Sequence, residues 1–246
     1  MTTSKRSRLD RFLSVKLGIN RGDVRLMLAK KQVMVDGVAA TDIQQQINVF
    51  THVALVNQAG GDSFEVLQDN QSQYLMMNKP TGVVSATTDE QHKTVMDLLP
   101  EVKVSDLHIA GRLDLNSSGL LLLTNDGGWS RALSEPEAGV SKCYRVRLEK
   151  PLTEDYIQAF ADGMYFSYED ITTRPVALSI VSDYVAELRL VEGRYHQIKR
   201  MFGRFRNPVL ALHRYAIGGL LLDNELAPGK YRYLTKQEVK TIKRSD

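Results

Sequence analysis

The sequence of 246 residues contains one cysteine, Cys143, and no long apolar run. A single cysteine cannot form an internal disulfide, which favours a reducing compartment. No aliphatic run exceeds the four leucines at residues 120–123, whereas a membrane-spanning helix needs roughly 18 apolar residues. The basic N-terminus leads into an amphipathic pattern rather than into the apolar core of a secretory signal. We therefore expect a cytoplasmic protein that does not enter a membrane.

Motifs for common cofactors and metals are also missing. The sequence has no GxxxxGK[ST] phosphate loop and no GxGxxG turn, so nucleotide cofactors are not indicated. It has no HExxH motif, and its five histidines are scattered without metal-ligand spacing. We expect neither a cofactor nor a metal, and each lone histidine fits a structural or surface role.

The positive charge is distributed unevenly, although the net charge is only +3. Residues 1–36 contain nine Lys or Arg against three Asp, and residues 193–214 contain six basic residues and no acidic one. The rest of the chain is acidic. These two basic zones fit surfaces that bind a polyanion, and by charge alone they fit solvated helix faces equally well.

The first part of the chain has the pattern of a small helical unit. Apolar residues at helical spacing predict a first helix that ends at Gly18 and a second over residues 21–31, with Asn20 as its N-cap. The strand patterns that follow lie at residues 33–35 and 52–56. We interpret residues 1–60 as a helix-helix-strand domain.

Residues 61–73 are rich in Gly, Asp, Asn and Gln and are interpreted as a linker. Residues 74–246 are dominated by strand patterns, which predicts a larger α+β domain with a mixed or antiparallel sheet and flanking helices. The predicted helices cover residues 153–162, residues 194–205 and a segment from Thr235, where Glu238 has capping-box spacing.

A polar loop at residues 108–119 carries the residues best suited to chemistry. It holds Arg112 and Asp114 between two apolar runs, which is how a rigid scaffold presents a reactive side chain. From the residues alone, Asp114 fits a turn or cap position equally well.

The motifs around this loop resemble those of a known enzyme family. Residues 111–114 read GRLD and residues 119–127 read GLLLLTNDG, as in the pseudouridine synthases of the small-subunit type. Three further segments resemble motifs of the same family in the expected order: NKPTG at 78–82, KCYRV at 142–146 and EGRYHQIKRMF at 192–202. The resemblance implies a pseudouridine synthase domain over residues 74–246, with Asp114 as the catalytic carboxylate. The isomerisation adds no group to uridine, which agrees with the missing cofactor motifs.

The same resemblance implies roles in substrate binding for three further residues. Tyr144 is expected to stack on the extruded nucleotide, the alternative being a core tyrosine. Arg112 would hold a phosphate or keep the nucleotide extruded, the alternative being a structural ion pair. Lys199 stands where relatives commonly have an arginine that pairs with the aspartate. Lysine keeps that charge without the bidentate fork, and the alternative is a surface lysine.

The helix predicted over residues 194–205 has one apolar face. A rotation of about 100° per residue places five side chains on a single stripe: Tyr195, Ile198, Met201, Phe202 and Phe205. Lys199 lies beside the stripe, which predicts that it is partly buried.

The N-terminal domain resembles an S4 RNA-binding domain at residues 8–13 and 33–37. It departs from that pattern at Lys30-Lys31-Gln32, where the S4 domain usually has a glycine. Such a domain would contact phosphates and add affinity with little base discrimination. The residues predicted to bind RNA are Arg8, Arg21, Arg25, Lys30, Lys31, Arg194 and Arg200.

The predicted substrate is a uridine of 16S ribosomal RNA, either in naked RNA or in a small-subunit assembly intermediate, and the predicted protein is a monomer. One alternative is a synthase that acts on 23S rRNA, whose relatives more often have Asn-Arg in place of Tyr195-His196. Another is a non-catalytic RNA-binding factor in ribosome assembly, which the intact motif around Asp114 disfavours.

Overall fold

A computed structural model describes residues 7–56, 64–68, 71–102 and 107–242. The chain divides into two compact units, Met1–Ser72 and Gln73–Asp246. Both combine helices with β-sheets, which confirms the predicted α+β class. Within the described ranges, no helix is long and apolar enough to cross a membrane.

Two helices and six short strands form the described part of the first unit. In chain order they are β1 (Ser7–Arg8), α1 (Leu9–Leu17), α2 (Arg21–Ala29), β2 (Val33–Val35), β3 (Val38–Ala39), β4 (Gln46–Ile47), β5 (Val53–Val56) and β6 (Phe64–Gln68). The predicted helix ends are confirmed at two points. Gly18 follows α1 with a left-handed φ of +69°, and the Asn20 side chain caps α2 by accepting hydrogen bonds from two backbone N–H groups.

The predicted linker at residues 61–73 is wrong in part. The main sheet of the first unit has the order β3-β2-β5-β6, and β6 pairs antiparallel with β5 inside that stretch. Residues 64–68 form a short strand that extends the sheet, although the residues around them have the polar composition of a linker. The apolar faces of α1 and α2 pack with β2 and β5 in one core, which includes Leu9, Leu13, Val24 and Leu28.

In the turn after α2, a lysine has the backbone conformation of the glycine that S4 domains usually have there. Helix α2 ends at Ala29 rather than at the predicted Lys31, and Lys31 adopts a left-handed φ of +54°. Its backbone N–H donates to the carbonyl of Leu28 at 2.9 Å, while that of Gln32 donates to Met27 at 3.0 Å. The turn therefore has the geometry that a glycine favours, and Lys31 takes it up despite its Cβ.

The second unit contains the larger sheet. Its strands are β7 (Tyr74–Lys79), β8 (His108–Ile109), β9 (Ser117–Thr124), β10 (Lys142–Leu148), β11 (Tyr165–Phe166), β12 (Ile171–Thr172), β13 (Ala177–Ser182), β14 (Val185–Leu190), β15 (Val209–Ile217), β16 (Leu220–Leu221) and β17 (Tyr231–Tyr233). Its α-helices are α3 (Gly127–Ser134), α4 (Asp155–Asp162), α5 (Gln197–Gly203) and α6 (Lys236–Thr241). Two 3₁₀ turns, Met96–Leu98 and Pro136–Ala138, complete the described elements.

Nine described strands form one sheet, and this sheet is mixed, which is one of the two forms that the sequence predicted. Its central order is β13-β14-β10-β15-β9-β7-β17, with β8 and β16 paired to β9 and β15. Strands β9 and β15 run parallel, whereas their other neighbours in this sheet are antiparallel. The mixed pattern places the start of β9 beside the middle of β15.

Helices cover both faces of this sheet. On one face, α4 and α5 pack against alternate residues of β9, β10 and β14. On the other, α3 and the residues of α6 pack around Leu120 and Leu122. Strand β9 is consequently buried on both sides, which its run of four leucines makes possible because no polar side chain interrupts it.

The predicted start of α5 is wrong. The helix begins at Gln197 rather than at residue 194, because His196 has a left-handed φ of +50°, which a residue within an α-helix cannot have. Ile198, Met201 and Phe202 are buried as predicted, but Tyr195 is 70% exposed and lies off the apolar stripe. At the other end of the unit, the predicted capping box of Thr235 and Glu238 on α6 is confirmed.

Gly119 lies where β9 approaches β15, and we expect Gly119→Ala to destabilise the protein. Gly119 has a φ of +106°, and a Cβ there would lie 2.8 Å from the backbone nitrogen of Arg214 and nearer still to its carbonyl oxygen. The free energy of unfolding should fall by about 2–4 kcal/mol, measured by urea denaturation.

The matched control is Gly203→Ala, since Gly203 has ordinary φ and open space around its Cβ. The free energy of unfolding of this variant should stay the same or rise by up to about 1 kcal/mol. Equal stabilities of the two variants would contradict the close approach at Gly119.

Candidate active site

A cleft of about 450 Å³ opens in the second unit beside the loop that joins β8 to β9. Its walls come from that loop, from β10 and β15, and from the segment leading into α5. Five of the residues predicted from the sequence line it: Arg112, Asp114, Tyr144, Arg194 and Lys199. These residues are distant in sequence, so the sheet is what brings them together.

The carboxylate of Asp114 faces two cationic or potentially cationic groups. Its Oδ2 accepts a hydrogen bond from Lys199 Nζ at 3.0 Å and lies 3.5 Å from His196 Nε2. The side chains of Asp114 and Lys199 are 31% and 29% exposed. Helix α5 thus places a lysine against the aspartate, in the pairing that the resemblance implied. The partly dehydrated setting strengthens this attraction relative to bulk water.

A fully buried lysine bonds to the backbone of the same loop. Lys79 Nζ, at the end of β7, donates to the carbonyls of Pro80 at 2.9 Å, Asp114 at 3.1 Å and Ser117 at 2.8 Å. Burial lowers the pKa of Lys79 to about 8, an effect that the negative charge of Asp114 opposes. The three bonds use all the donors of the ammonium group and fix the backbone at Asp114 and at Ser117 after it.

A buried arginine holds the other side of the loop. Arg214 is 2% exposed, and its guanidinium donates to the carbonyls of Leu120 at 2.8 Å, Gly111 at 3.0 Å and Arg112 at 3.4 Å. Gly111 has a φ of +87°, which turns the chain before Arg112. The carbonyl dipoles compensate a charge that would otherwise be costly to bury.

Tyr144 forms part of the cleft wall. It lies on β10 and is 8% exposed, and its hydroxyl accepts a hydrogen bond from Arg214 Nη1 at 3.4 Å. Two residues earlier, Lys142 is 7% exposed, and burial lowers its pKa to about 8, with the charge of Arg214 acting in the same direction. The wall behind Tyr144 is therefore rich in positive charge, which suits an anionic ligand.

The NKPTG motif and the residues just after it contact the loop that carries Asp114. Ser85 Oγ donates to the Leu113 carbonyl at 2.7 Å and accepts from the Leu113 backbone nitrogen at 3.1 Å. The backbone nitrogen of Gly82 donates to the Leu115 carbonyl at 2.9 Å. The segment that follows the NKPTG motif therefore forms a second support for the loop that carries Asp114.

The predicted RNA-binding arginines near α5 have structural partners. Arg200 makes a bidentate pair with Glu169 at 2.5 and 2.6 Å, and its guanidinium lies 3.7 Å from the centre of the Phe166 ring. Arg194 donates to the buried Glu192 at 3.1 Å. Arg112 is exposed at the cleft and remains the more available cation for a phosphate.

In the first unit the predicted basic residues fall into two groups. Arg8 and Arg21 both pair with Asp10, which is 2% exposed, at 2.6 and 2.8 Å. The Arg21–Asp10 pair joins the start of α2 to the start of α1. The second group is exposed and consists of Arg25, Lys30 and Lys31.

Sequence reasoning missed three residues of the site. They are Lys79, Arg214 and His196: the sequence places Lys79 in a motif, Arg214 at the end of a basic zone and His196 among five scattered histidines. The motif position of Lys79 was the one available indication of a role. The other two depend on which strands and turns meet in space.

The family of this chain follows from comparison with known proteins. A family model described as RNA pseudouridylate synthase matches residues 73–203, just over half of the chain. The matched segment contains the whole cleft loop, Tyr144 and Lys199. The chain therefore belongs to the RNA pseudouridylate synthases.

The chain is also similar, over nearly its full length, to relatives of one particular kind of pseudouridine synthase. Three relatives described as ribosomal small subunit pseudouridine synthase A come from Pseudomonas aeruginosa (44% identical, 96% of this chain, 100% of the relative), Vibrio cholerae (40%, 96%, 99%) and Escherichia coli K12 (38%, 96%, 99%). A crystal structure of a pseudouridylate synthase matches with a TM-score of 0.68 at 34% identity, covering 96% of this chain and 99% of that one. The similarity thus extends across both units.

We expect Lys79→Met to slow catalysis by about tenfold or more, because three carbonyls around Asp114 lose their donor and the carboxylate shifts from its position. The measurement is the single-turnover rate of pseudouridine formation at saturating enzyme, accompanied by thermal unfolding. Lys93→Met is the matched control on an exposed lysine and should stay within about twofold of wild type. A folded Lys79→Met enzyme with the wild-type rate would show that the loop does not depend on Lys79.

Proposed function

We propose that the protein converts a uridine of 16S ribosomal RNA into pseudouridine, with Asp114 as the catalytic carboxylate. The observation that carries the proposal is the pairing of Asp114 with Lys199 at 3.0 Å, inside a cleft walled by Tyr144. A carboxylate that lies beside a cation and next to an aromatic ring suits a reaction on an extruded nucleotide.

The reaction breaks the bond between ribose C1′ and uracil N1, turns the base and joins C1′ to C5. C5 loses a proton when it bonds to C1′, and N1 gains a proton, so no group enters or leaves overall. Asp114 would start the sequence as a nucleophile or as a base, and both routes need its ionised form. Lys199 places a positive charge beside the carboxylate, and the supported backbone fixes the direction in which the carboxylate points.

The neighbouring side chains would bind the nucleotide. Tyr144 offers its ring to the uracil, replacing the stacking lost when the base leaves the RNA. Arg112, exposed at the cleft, would bind a backbone phosphate and hold the nucleotide in its extruded position. The positive potential from Lys142 and Arg214 behind the wall attracts the phosphate backbone to the cleft.

The small-subunit assignment rests on the relatives. All three of those described above are called small subunit pseudouridine synthases and align over 96% of this chain. This favours 16S rRNA over the 23S alternative. The ordered contact of Asp114 with Lys199 gives no reason to prefer a non-catalytic assembly factor. The cytoplasmic location and the monomeric state stay predictions.

The first unit would act as an S4-type RNA-binding domain. Its support is an exposed cationic group that consists of Arg25 on α2 and of Lys30 and Lys31 in the turn after this helix. Arg8 and Arg21 would contribute mainly by ordering the two helices through Asp10. Such a surface adds affinity for phosphates without reading the bases.

We expect Asp114→Asn to lower the rate of pseudouridine formation by about 1,000-fold or more, because the amide cannot act as nucleophile or base. Binding to 16S rRNA, measured by filter retention, should stay within about threefold of wild type, since phosphate contacts dominate affinity. The matched control is Asp183→Asn in an exposed turn, which should keep full activity. Wild-type activity in Asp114→Asn would refute the assignment of the catalytic residue.

Replacing Arg25, Lys30 and Lys31 together by glutamine should weaken RNA binding and flatten its dependence on salt. Each lost phosphate contact removes roughly 0.7–0.9 from the slope of log K against log salt, so a decrease of about 2 is expected. A control with the same charge change replaces three exposed lysines of the second unit, Lys93, Lys150 and Lys236. Equal slopes for the two triple variants would remove the RNA-binding role from this surface.

A further inference from the structure

An exposed aromatic stack lies at the edge of the cleft. The rings of Tyr195 and His196 are 3.9 Å apart between centroids and inclined by 21°, which is a stacked arrangement. Tyr195 is 70% exposed, whereas His196 lines the cleft. A ring that is stacked on one side and this exposed presents its opposite face to solvent.

The stack is held in place by buried polar residues rather than by an apolar core. Gln197, 3% exposed, accepts a hydrogen bond from the backbone nitrogen of Arg194 at 3.0 Å and donates to Glu192 at 2.7 Å. Glu192 is itself 2% exposed and also accepts from the Arg194 side chain. The turn that carries Tyr195 is therefore fixed before any substrate binds.

The backbone of His196 adds a second indication. Its left-handed φ of +50° is unusual for a residue with a Cβ and costs free energy. This turn brings His196 Nε2 to 3.5 Å from Asp114 Oδ2 and leaves the Tyr195 ring outside the helix. The strained turn thus links the exposed ring directly to the carboxylate that is proposed to react.

The chemistry of this position fits an unpaired nucleobase. An exposed aromatic face binds any base by stacking, and single-stranded segments of RNA are recognised in this way. Arg112 lines the same cleft, is exposed and supplies a cation for an adjoining phosphate. A nucleotide extruded into the cleft leaves its neighbours without a stacking partner, so a second aromatic surface just outside has a clear use.

We propose that the Tyr195/His196 stack binds a nucleobase that neighbours the target uridine in the substrate RNA. This rests on the function proposed above and extends it, since Tyr144 would bind the target base and Tyr195 a flanking one. Tyr195 is then a positioning residue whose contribution lies in binding rather than in the chemical step.

The test compares Tyr195→Leu with Tyr195→Phe on the rRNA substrate, transcript or partly assembled particle, that the wild-type enzyme modifies. Leucine keeps an apolar side chain without a ring, so KM should rise by about tenfold while kcat stays within about twofold. Phenylalanine keeps the stacking surface and should restore KM. Tyr184→Leu, at another exposed tyrosine, is the matched control and should leave KM unchanged.

A parallel measurement separates this proposal from the proposed function. The dissociation constant for 16S rRNA is measured by filter retention for the same variants combined with Asp114→Asn, so it needs no catalysis. A Kd that rises for Tyr195→Leu and not for Tyr195→Phe supports the stack even if no pseudouridine is formed. Equal Kd and KM values for the leucine and phenylalanine variants, or a loss confined to kcat, would overturn it.

Discussion

The site depends on two buried cations that bond to backbone carbonyls instead of to carboxylates. Lys79 and Arg214 together donate to carbonyls on both sides of Asp114, from Gly111 to Leu120. Each cation would be costly to bury alone, and the loop supplies the oxygens that compensate it. These bonds also hold the loop in one conformation. The direction of the Asp114 side chain is therefore set by bonds to the backbone and not by bonds from Lys79 or Arg214 to its carboxylate.

This division of roles explains the electrostatics of the cleft. A buried cation paired with a structural carboxylate would contribute no net charge, whereas Lys79, Lys142 and Arg214 leave the wall positive. A positive wall attracts the phosphate backbone of an RNA. Lys199 then adds an ion pair with the carboxylate at 3.0 Å.

Contiguous motifs made several residues of the cleft predictable from the sequence. The GRLD segment, Tyr144 and Lys199 each lie in a run of matching residues, and the structure brings all of them to one cleft. The supports of the loop were not predictable, because the hydrogen bond from Arg214 to Gly111 spans 103 residues and depends on the parallel pairing of β9 with β15. Composition also predicts that lysine and arginine are exposed, which is the opposite of what Lys79 and Arg214 do.

The local errors have equally specific causes. Periodicity extended α5 back through Tyr195, since an apolar side chain in a turn fits a helical stripe as well as one in the helix. Helix α5 starts only after His196, because the backbone of His196 has a left-handed conformation. Hydrogen bonds of Gln197 and Glu192 stabilise this turn, and they lie outside the periodic pattern. Strand β6 was missed because short strands in polar surroundings depend on a partner strand rather than on their own composition.

The most direct test of the account is to incubate the purified protein, without added cofactor, with unmodified 16S and 23S transcripts and with partly assembled small-subunit particles. Pseudouridine is then mapped by chemical probing along each RNA. The account predicts pseudouridine at one site of 16S rRNA, in the transcript or in the particle, and none in 23S rRNA. A product in 23S rRNA alone would contradict the small-subunit assignment, and no product in any substrate would contradict the proposed catalytic role of the cleft.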